Sequence, residues 1–343
     1  CIKLQTSPSQ LNETRGHIVC NNSIDSSTQM GIELWSRGRN NLVSNNTVEN
    51  TVWGISLDNQ EYSSIIGNTI KATSYAGLEL AAACNNNIIA NNTINGYLSN
   101  NTGNLSRRTT YATVISNITC SNNSIIGNNI AGSAYGVYLQ NAINTTISNN
   151  IIQDCGQGLN FQGSSLAKIH NNLFDTGFFG TNYHVFFDAS SITLTGFHFS
   201  DNKFRGSTAQ QSIFYYNNGT ANTIRDVCLE NNVTDSTTAG GYGVFIDGQL
   251  TPTNYVYRNN FGPTGANAAN SIQDATDSTA FSYQQSNLQN GYQFYGRSSI
   301  TIPGSGIPYT SGAWVNIASG SLAGNGNVKR FVIKYNGSGP PYT

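Results

Sequence analysis

The feature that most constrains this chain is a repeat of about 22 residues. Ile126-Gly127-Asn128-Asn129-Ile130 is followed by Ser148-Asn149-Asn150-Ile151-Ile152 and then by His170-Asn171-Asn172-Leu173-Phe174. Between these units lie Gly136-Val137-Tyr138-Leu139 and Gly158-Leu159-Asn160-Phe161, at the same interval. A fixed period in this range marks a repeat architecture, in which one unit cannot bury its own apolar face and stacking buries it instead.

Aligning the units gives a column of asparagines: Asn22, Asn46, Asn68, Asn92, Asn128, Asn150, Asn172, Asn202, Asn231 and Asn259. An apolar residue follows two positions after each, from Ile24 and Val48 to Val233 and Phe261. A second apolar column runs through Ile32/Leu34, Ile55/Leu57, Leu78/Leu80, Val137/Leu139 and Leu159/Phe161, and a third through Leu42, Ile65, Ile88, Ile125, Ile147 and Ile169. Each unit thus holds three short runs of period-2 alternation, separated by Gly, Asn and Ser, which predicts strands. Three strands per repeat, stacked on their equivalents, predict an all-β parallel β-helix solenoid of about ten coils. The asparagines suit an inward polar ladder at a sharp corner, because Asn tolerates left-handed backbone and stacked amides bond one another.

The predicted boundaries are an N-terminal cap over 1–17, the β-helix over 18–296, and a small C-terminal β unit over 297–343 that caps or oligomerises the solenoid. An insertion over 96–118 is expected to leave the helix as a loop. The coils over 175–260 lengthen and gain aromatics, which implies either a wider core or an outward aromatic surface. Neither Cys1 nor the Pro340–Thr343 end resembles a natural capped terminus, so a mature or truncated product is expected.

Only 10% of residues are charged and the net charge is −1, so no basic field attracts nucleic acid or anionic membrane. No apolar run is long enough for a membrane span. Six cysteines lack CxxC spacing, which argues against zinc, and no cofactor or metal is expected. Cys84 and Cys120 can meet on adjacent coils, as a disulfide or as buried thiols.

Strand alternation places Glu33, Ser56, Glu79, Tyr138 and Asn160 in one outward column, beside Trp35, Asp58, Ala81, Gln140 and Gln162. With rungs about 4.8 Å apart, Glu33 and Glu79 stand about 9–10 Å apart, with Asp58 to one side. Three carboxylates and a tryptophan in an acid-poor chain suit glycoside hydrolysis, where one carboxyl protonates the leaving oxygen and another activates water or attacks the sugar. Glu33, Asp58 and Glu79 are the candidate catalytic residues, and Trp35, Arg107, Arg108, Tyr111 and Tyr138 the candidate substrate contacts. The competing reading is that these acids only keep a sheet face soluble. A lyase needs a base near a neutralised uronate; His170, Tyr183, His184 and His198, with Lys168 and Arg205, are its candidates. Asp188 and Asp247 are a further acidic pair.

The Asn-Asn-x-Ile and Gly-Ile-x-Leu units, as at Asn45–Val48 and Gly54–Leu57, resemble right-handed parallel β-helix proteins of the pectin-lyase-like superfamily, over roughly 18–260. They also resemble NosD-type repeats. The Asn/Ser/Thr-rich solenoid with a short aromatic β segment is most similar to bacteriophage tailspikes. That resemblance implies a right-handed helix, an extracellular or virion location, a homotrimer and a polysaccharide partner. The acidic and Lys/Arg signatures of pectinases and pectate lyases are absent. A non-enzymatic adhesive fibre is the alternative class.

Overall fold

The computed structural model describes residues 1–5, 14–96, 109–116, 120–175, 183–188, 194–206, 211–216, 224–236, 242–246, 253–258, 270–274, 283–285, 287–289, 292–294, 299–301 and 308–310. Three long parallel sheets run along a solenoid axis. The first has eleven strands, from Ile2–Gln5 through Met30–Trp35, Trp53–Asp58, Ala76–Ala81, Thr109–Ser116, Ser133–Gln140, Gln157–Gln162 and Tyr183–Asp188 to Asn270–Asp274. The second also has eleven, from Ile18–Cys20 to Tyr283–Gln285, and the third has nine, from Ser23–Asp25 to Val233–Ser236. A short fourth edge pairs Thr14–Arg15, Gly38–Arg39 and Gln60–Glu61, then continues as single bridges through Asn85, Ser121, Ile143 and Ser165. The fold is the parallel β-helix expected from the repeat.

The core is a set of stacked columns. Val43, Ile65, Ile89, Ile125, Ile147 and Ile169 line the second sheet; Val48, Ile70, Ile94, Ile130 and Ile152 line the third; Ile55, Leu78, Val137 and Leu159 line the first. All are essentially inaccessible, and each such side chain contributes about 1.5–3 kcal/mol by leaving water. Two expected members of the second-sheet column are displaced by one residue. Val43 and Ile89 point inward, whereas Leu42 is half-buried and Ile88 exposed. In Leu42-Val43 and Ile88-Ile89 both residues are apolar, so hydrophobicity cannot fix the register, and a slip of one flips the face.

The corner between the second and third sheets has two parts. A left-handed residue makes the bend: Asn21, Asn45, Asn91, Asn149, Asn171, Asp201 and Asn231 have φ between 53° and 57°, and Gly67 and Gly127 occupy the same place in their coils. The next residue is the ladder amide. Asn46 Nδ2 donates to Asn68 Oδ1 at 3.0 Å, and the chain of bonds continues through Asn92, Asn128, Asn150, Asn172 and Asn202 to Asn232. The ladder residue of that coil is Asn232, not Asn231. Asn231 is the exposed bend residue, Val233 faces out, and Thr234 pairs with Phe204. Asn259 lies outside the described residues. A second ladder, unforeseen in the sequence, links Asn41, Ser63, Asn87 and Asn123 at the next corner.

Glycine occupies one column of the first sheet at Gly31, Gly54, Gly77, Gly136 and Gly158, with Ala112 at the remaining rung between Gly77 and Gly136. A Cβ at Gly54 would lie 2.6 Å from Ile70 Cγ2, and one at Gly158 2.6 Å from the His184 carbonyl oxygen. The column ends at His184, which pairs beside Gly158 in a lengthened coil. There the core turns aromatic: Phe161 stacks on Phe187 at 4.9 Å, and Phe174 on Phe204 at 4.8 Å. Phe197 and Phe199 are buried as well, while Tyr183 and Phe186 remain half-buried on the outward side. The longer coils therefore serve both a wider core and an outward aromatic face.

The expected loop over 96–118 is corrected in part. Thr109–Ser116 is a full strand of the first sheet, pairing with Ala76–Ala81 and Ser133–Gln140. The expected N-terminal cap also contributes strands, since Ile2–Gln5 pairs with Met30–Trp35 in register. Near the other end, Asn287–Gln289 with Tyr292–Phe294 and Ser299–Thr301 with Pro308–Thr310 are antiparallel hairpins; residues 311–343 lie outside the described set. Cys84 and Cys120 are buried thiols on neighbouring coils. Cys84 Sγ donates to the Ala81 carbonyl at 3.0 Å, and burial pushes its pKa well above the ordinary thiol value.

A candidate glycan face on the first sheet

The first sheet carries the longest strands, and its outward side collects the expected residues. Lys3, Glu33, Ser56 and Glu79 follow one another rung by rung, and beyond the strand Thr109–Ser116 the column resumes at Tyr138, Asn160 and Phe186. Two residues along, Asp58 and Ala81 and, beyond the strand Thr109–Ser116, Gln140 and Gln162 form the neighbouring column. The alternation that sends Leu57 and Leu80 into the core forces Asp58 and Glu79 outward.

Outward does not mean open here. Glu33 is 6% exposed and Ser56 is 4% exposed. Lys3, which sequence reasoning passed over, forms an ion pair with Glu33 at 2.9 Å, and its Nζ stands 4.0 Å above the Trp35 ring centroid. Trp35 is itself well exposed. The signal for Lys3 was its place in Ile2-Lys3-Leu4-Gln5, which has the alternation of a first-sheet strand.

Ser56 Oγ donates to Glu79 Oε2 at 3.0 Å. Burial raises the Glu79 pKa; the Ser56 bond opposes that rise and the charge of Asp58 adds to it. Burial also raises Asp58, with the negative charge of Glu33 adding to the rise. Asp58 therefore lies between two other carboxyls, feeling the charge of Glu33 and acting on Glu79. Asp58 is in register with Ala81, two residues past Glu79 on the adjacent strand. A rung of about 4.8 Å and two residues of about 3.3 Å put their Cα atoms about 8 Å apart.

Further along the same face, Tyr135 and Tyr138 pack with ring centroids 5.5 Å apart, and the Tyr138 hydroxyl donates to Gln162 Oε1. Gln140 Nε2 donates to the same oxygen at 3.2 Å. Asn160 Nδ2 donates to Gln157 Oε1 at 2.6 Å, while its buried Oδ1 has no partner among the described residues. Tyr111 belongs to the Thr109–Ser116 strand, between Ala76 and Tyr135. Arg107 and Arg108 lie outside the described residues.

The residues considered for a lyase are spread over all three sheets, although Lys168 and His198 pair in register on the second. His184 is buried against Phe174 and Phe204, its Nε2 lies 3.0 Å from the Arg205 carbonyl, and burial lowers its pKa to about 4. Arg205 is tied to Asp175 at 2.7 Å on the third sheet. His170, Lys168 and His198 sit on the second sheet and Tyr183 on the first. Asp188 follows Gln162 in register on the first sheet, and Asp247 lies outside the described residues.

Residues 97–261 match the family described as the right handed beta helix region, and residues 9–114 match the family described as periplasmic copper-binding protein (NosD). No curated protein matches the chain in sequence. Among solved structures, the Agl-KA catalytic domain superimposes with a TM-score of 0.57 at 13% identity, over 78% of this chain and 53% of that one. This chain thus spans about half the length of that domain. DFA-IIIase from Arthrobacter chlorophenolicus A6, without its lid and in complex with GF2, gives 0.54 at 14% identity, over 80% and 70%. PfbA, a surface adhesin of Streptococcus pneumoniae, gives 0.54 at 12% identity, over 81% and 80%. These likenesses establish the fold: the chain is a right-handed parallel β-helix.

Proposed function

We propose that this β-helix binds a polysaccharide along the outward face of its first sheet and hydrolyses it with Glu79 and Asp58. The observation that carries this reading is a coupled pair of carboxyls on adjacent rungs, both with raised pKa, on the face that also bears Trp35 and Tyr138. Glu79, the more buried, keeps its proton and acts as general acid to the glycosidic oxygen. Asp58 acts as base toward a water. With Cα atoms about 8 Å apart on one face, the two side chains can reach the carboxyl separation of about 6.5–9.5 Å that inversion uses. Burial holds the Asp58 pKa up, and the negative charge of Glu33, which is ion-paired to Lys3, adds to it. Trp35 and Tyr138 supply ring faces for sugars. Solved β-helix structures with a similar fold include a GH87 α-1,3-glucanase in complex with nigerose (TM-score 0.53, 12% identity), which supports a carbohydrate-acting reading of the scaffold.

The test is a digestion screen over neutral and acidic polysaccharides, with product analysis and Glu79→Gln and Asp58→Asn as controls. Depolymerisation lost in both variants supports the assignment. Depolymerisation retained in both removes it. A second reading, adhesion without cleavage, is favoured by Lys3 covering one face of Trp35 and is supported by the likeness to PfbA; glycan binding without products selects it. We further propose an extracytoplasmic site of action and a tailspike-type homotrimer on a virion or cell surface. Light scattering at three times the 36.8 kDa chain mass supports the trimer, and the monomer mass excludes it.

A further inference from the structure

Three side chains of metal-binding type meet on the outward side of the second sheet, away from the acidic face. His198 on Leu194–Ser200 is in register with Cys228 on Ile224–Glu230. Glu230 lies two residues beyond Cys228, so both project from the same side of the strand, while Val227 and Leu229 point into the core. One ligand atom from each of the three falls within 4.8 Å of the other two, and His198 Nε2 is 2.8 Å from Glu230 Oε1.

We propose that His198, Cys228 and Glu230 form a binding site for a zinc-type divalent ion. Tetrahedral zinc with bonds of about 2.0–2.3 Å holds its ligands within about 4 Å of one another, so side-chain shifts of about 1 Å close the site. The charges also match. A thiolate and a carboxylate supply two negative charges, and a neutral imidazole completes the set. A mixed nitrogen, sulfur and oxygen set suits zinc better than magnesium or calcium, which take oxygen ligands. Two of the ligands come from paired rungs of a sheet, so the backbone fixes their spacing before the metal arrives.

Three protein ligands leave a fourth position open. Beside His198 lies a cleft of about 540 Å³ lined by Asn122, Asn144, Leu166 and Lys168. Lys168 is in register with His198, one rung away. His198 thus belongs both to the three-residue cluster and to the wall of a cleft that carries the Lys168 ammonium and the bonded amides of Asn122 and Asn144. The site is independent of the proposed glycan face and lies outside residues 9–114, the span matched to the copper-binding family. The sequence expectation of no zinc site rested on absent CxxC spacing; here 30 residues separate His198 from Cys228, and only the register unites them.

The test uses the full chain carrying Cys1→Ser and Cys20→Ser, because those two exposed thiols offer competing ligands. Cobalt(II) is titrated into the metal-free protein and displaced with zinc. The expected result is one equivalent bound, with a near-ultraviolet thiolate-to-cobalt charge-transfer band that zinc abolishes. Cys228→Ser removes the band, and His198→Asn and Glu230→Gln each weaken binding at least about tenfold. All three positions face outward, and circular dichroism checks that each variant keeps its fold. The absence of a thiolate band in the parent, or a band unchanged by Cys228→Ser, overturns the proposal. Should Cys228→Ser not fold, unchanged cobalt affinity in His198→Asn and Glu230→Gln overturns it equally.

Discussion

Replacing Asn128 with alanine tests whether the amide ladder holds the coils together. Asn128 is 1% exposed. Its Oδ1 accepts from the backbone N–H of Asn92 at 2.9 Å and from Asn92 Nδ2 at 3.0 Å. Its Nδ2 donates to the Ile89 carbonyl and to Asn150 Oδ1, each at 3.0 Å. Alanine removes the acceptor for two buried donors and the donor for two buried acceptors. A buried polar group stripped of its partner costs about 1–3 kcal/mol, and the groups share a network, so the whole change is worth about 3–5 kcal/mol. Asn129, the next residue, is exposed, and Asn129→Ala should stay within about 0.5 kcal/mol. Urea denaturation followed by circular dichroism measures both. Because each coil contacts only its neighbours, hydrogen exchange should rise first in the coils flanking Asn128. Equal, small losses for the two variants would refute the ladder as a stabilising element.

Further outcomes follow from the same geometry. Gly54→Ala drives a methyl against Ile70 and the Gly77 carbonyl, and should lower stability by about 3 kcal/mol or prevent folding, as thermal melts will record. Glu79 has a raised pKa, so the native state keeps its proton where the unfolded chain has lost it; stability therefore falls as pH rises from the ordinary value of 4.5 through the raised one. Glu79→Gln abolishes that titration and should melt higher than the parent above this window, with no gain below it. Lys3→Ala breaks a partly exposed ion pair and a cation–π contact; it should cost under about 1 kcal/mol while making Trp35 fluorescence easier to quench with acrylamide.

The sequence displays the solenoid because a parallel stack repeats one environment many times. A column such as Ile125, Ile147 and Ile169 is then visible as periodicity. Register fails where local chemistry is degenerate. Asn231 and Asn232 are adjacent asparagines, and Val233 fits the apolar position two residues after the first; the alternation of bend residue and ladder residue, set by backbone φ, decides for Asn232. Thr109–Ser116 is hidden because Ala112 and Thr113 replace the glycine and aliphatic residue of neighbouring first-sheet strands, such as Gly54-Ile55, Gly77-Leu78 and Gly136-Val137. The acids and Trp35 were legible as an outward patch from alternation alone. Lys3 was not, since a strand at the end of the stack has too little repeat to align. Nor was the approach of His198 to Cys228, which depends on coils of 30 residues rather than 22.

The ladder bonds run in one direction. Each amide nitrogen donates to the coil that follows and each amide oxygen accepts from the coil before, from Asn22 to Asn232. An interior coil therefore presents the same pair of contacts to whatever coil flanks it. Duplicating or deleting one whole coil leaves every remaining amide with an equivalent partner, whereas losing part of a coil breaks the line. The solenoid can thus change length only in whole rungs, and the outward face of the first sheet lengthens or shortens with it, about 4.8 Å at a time.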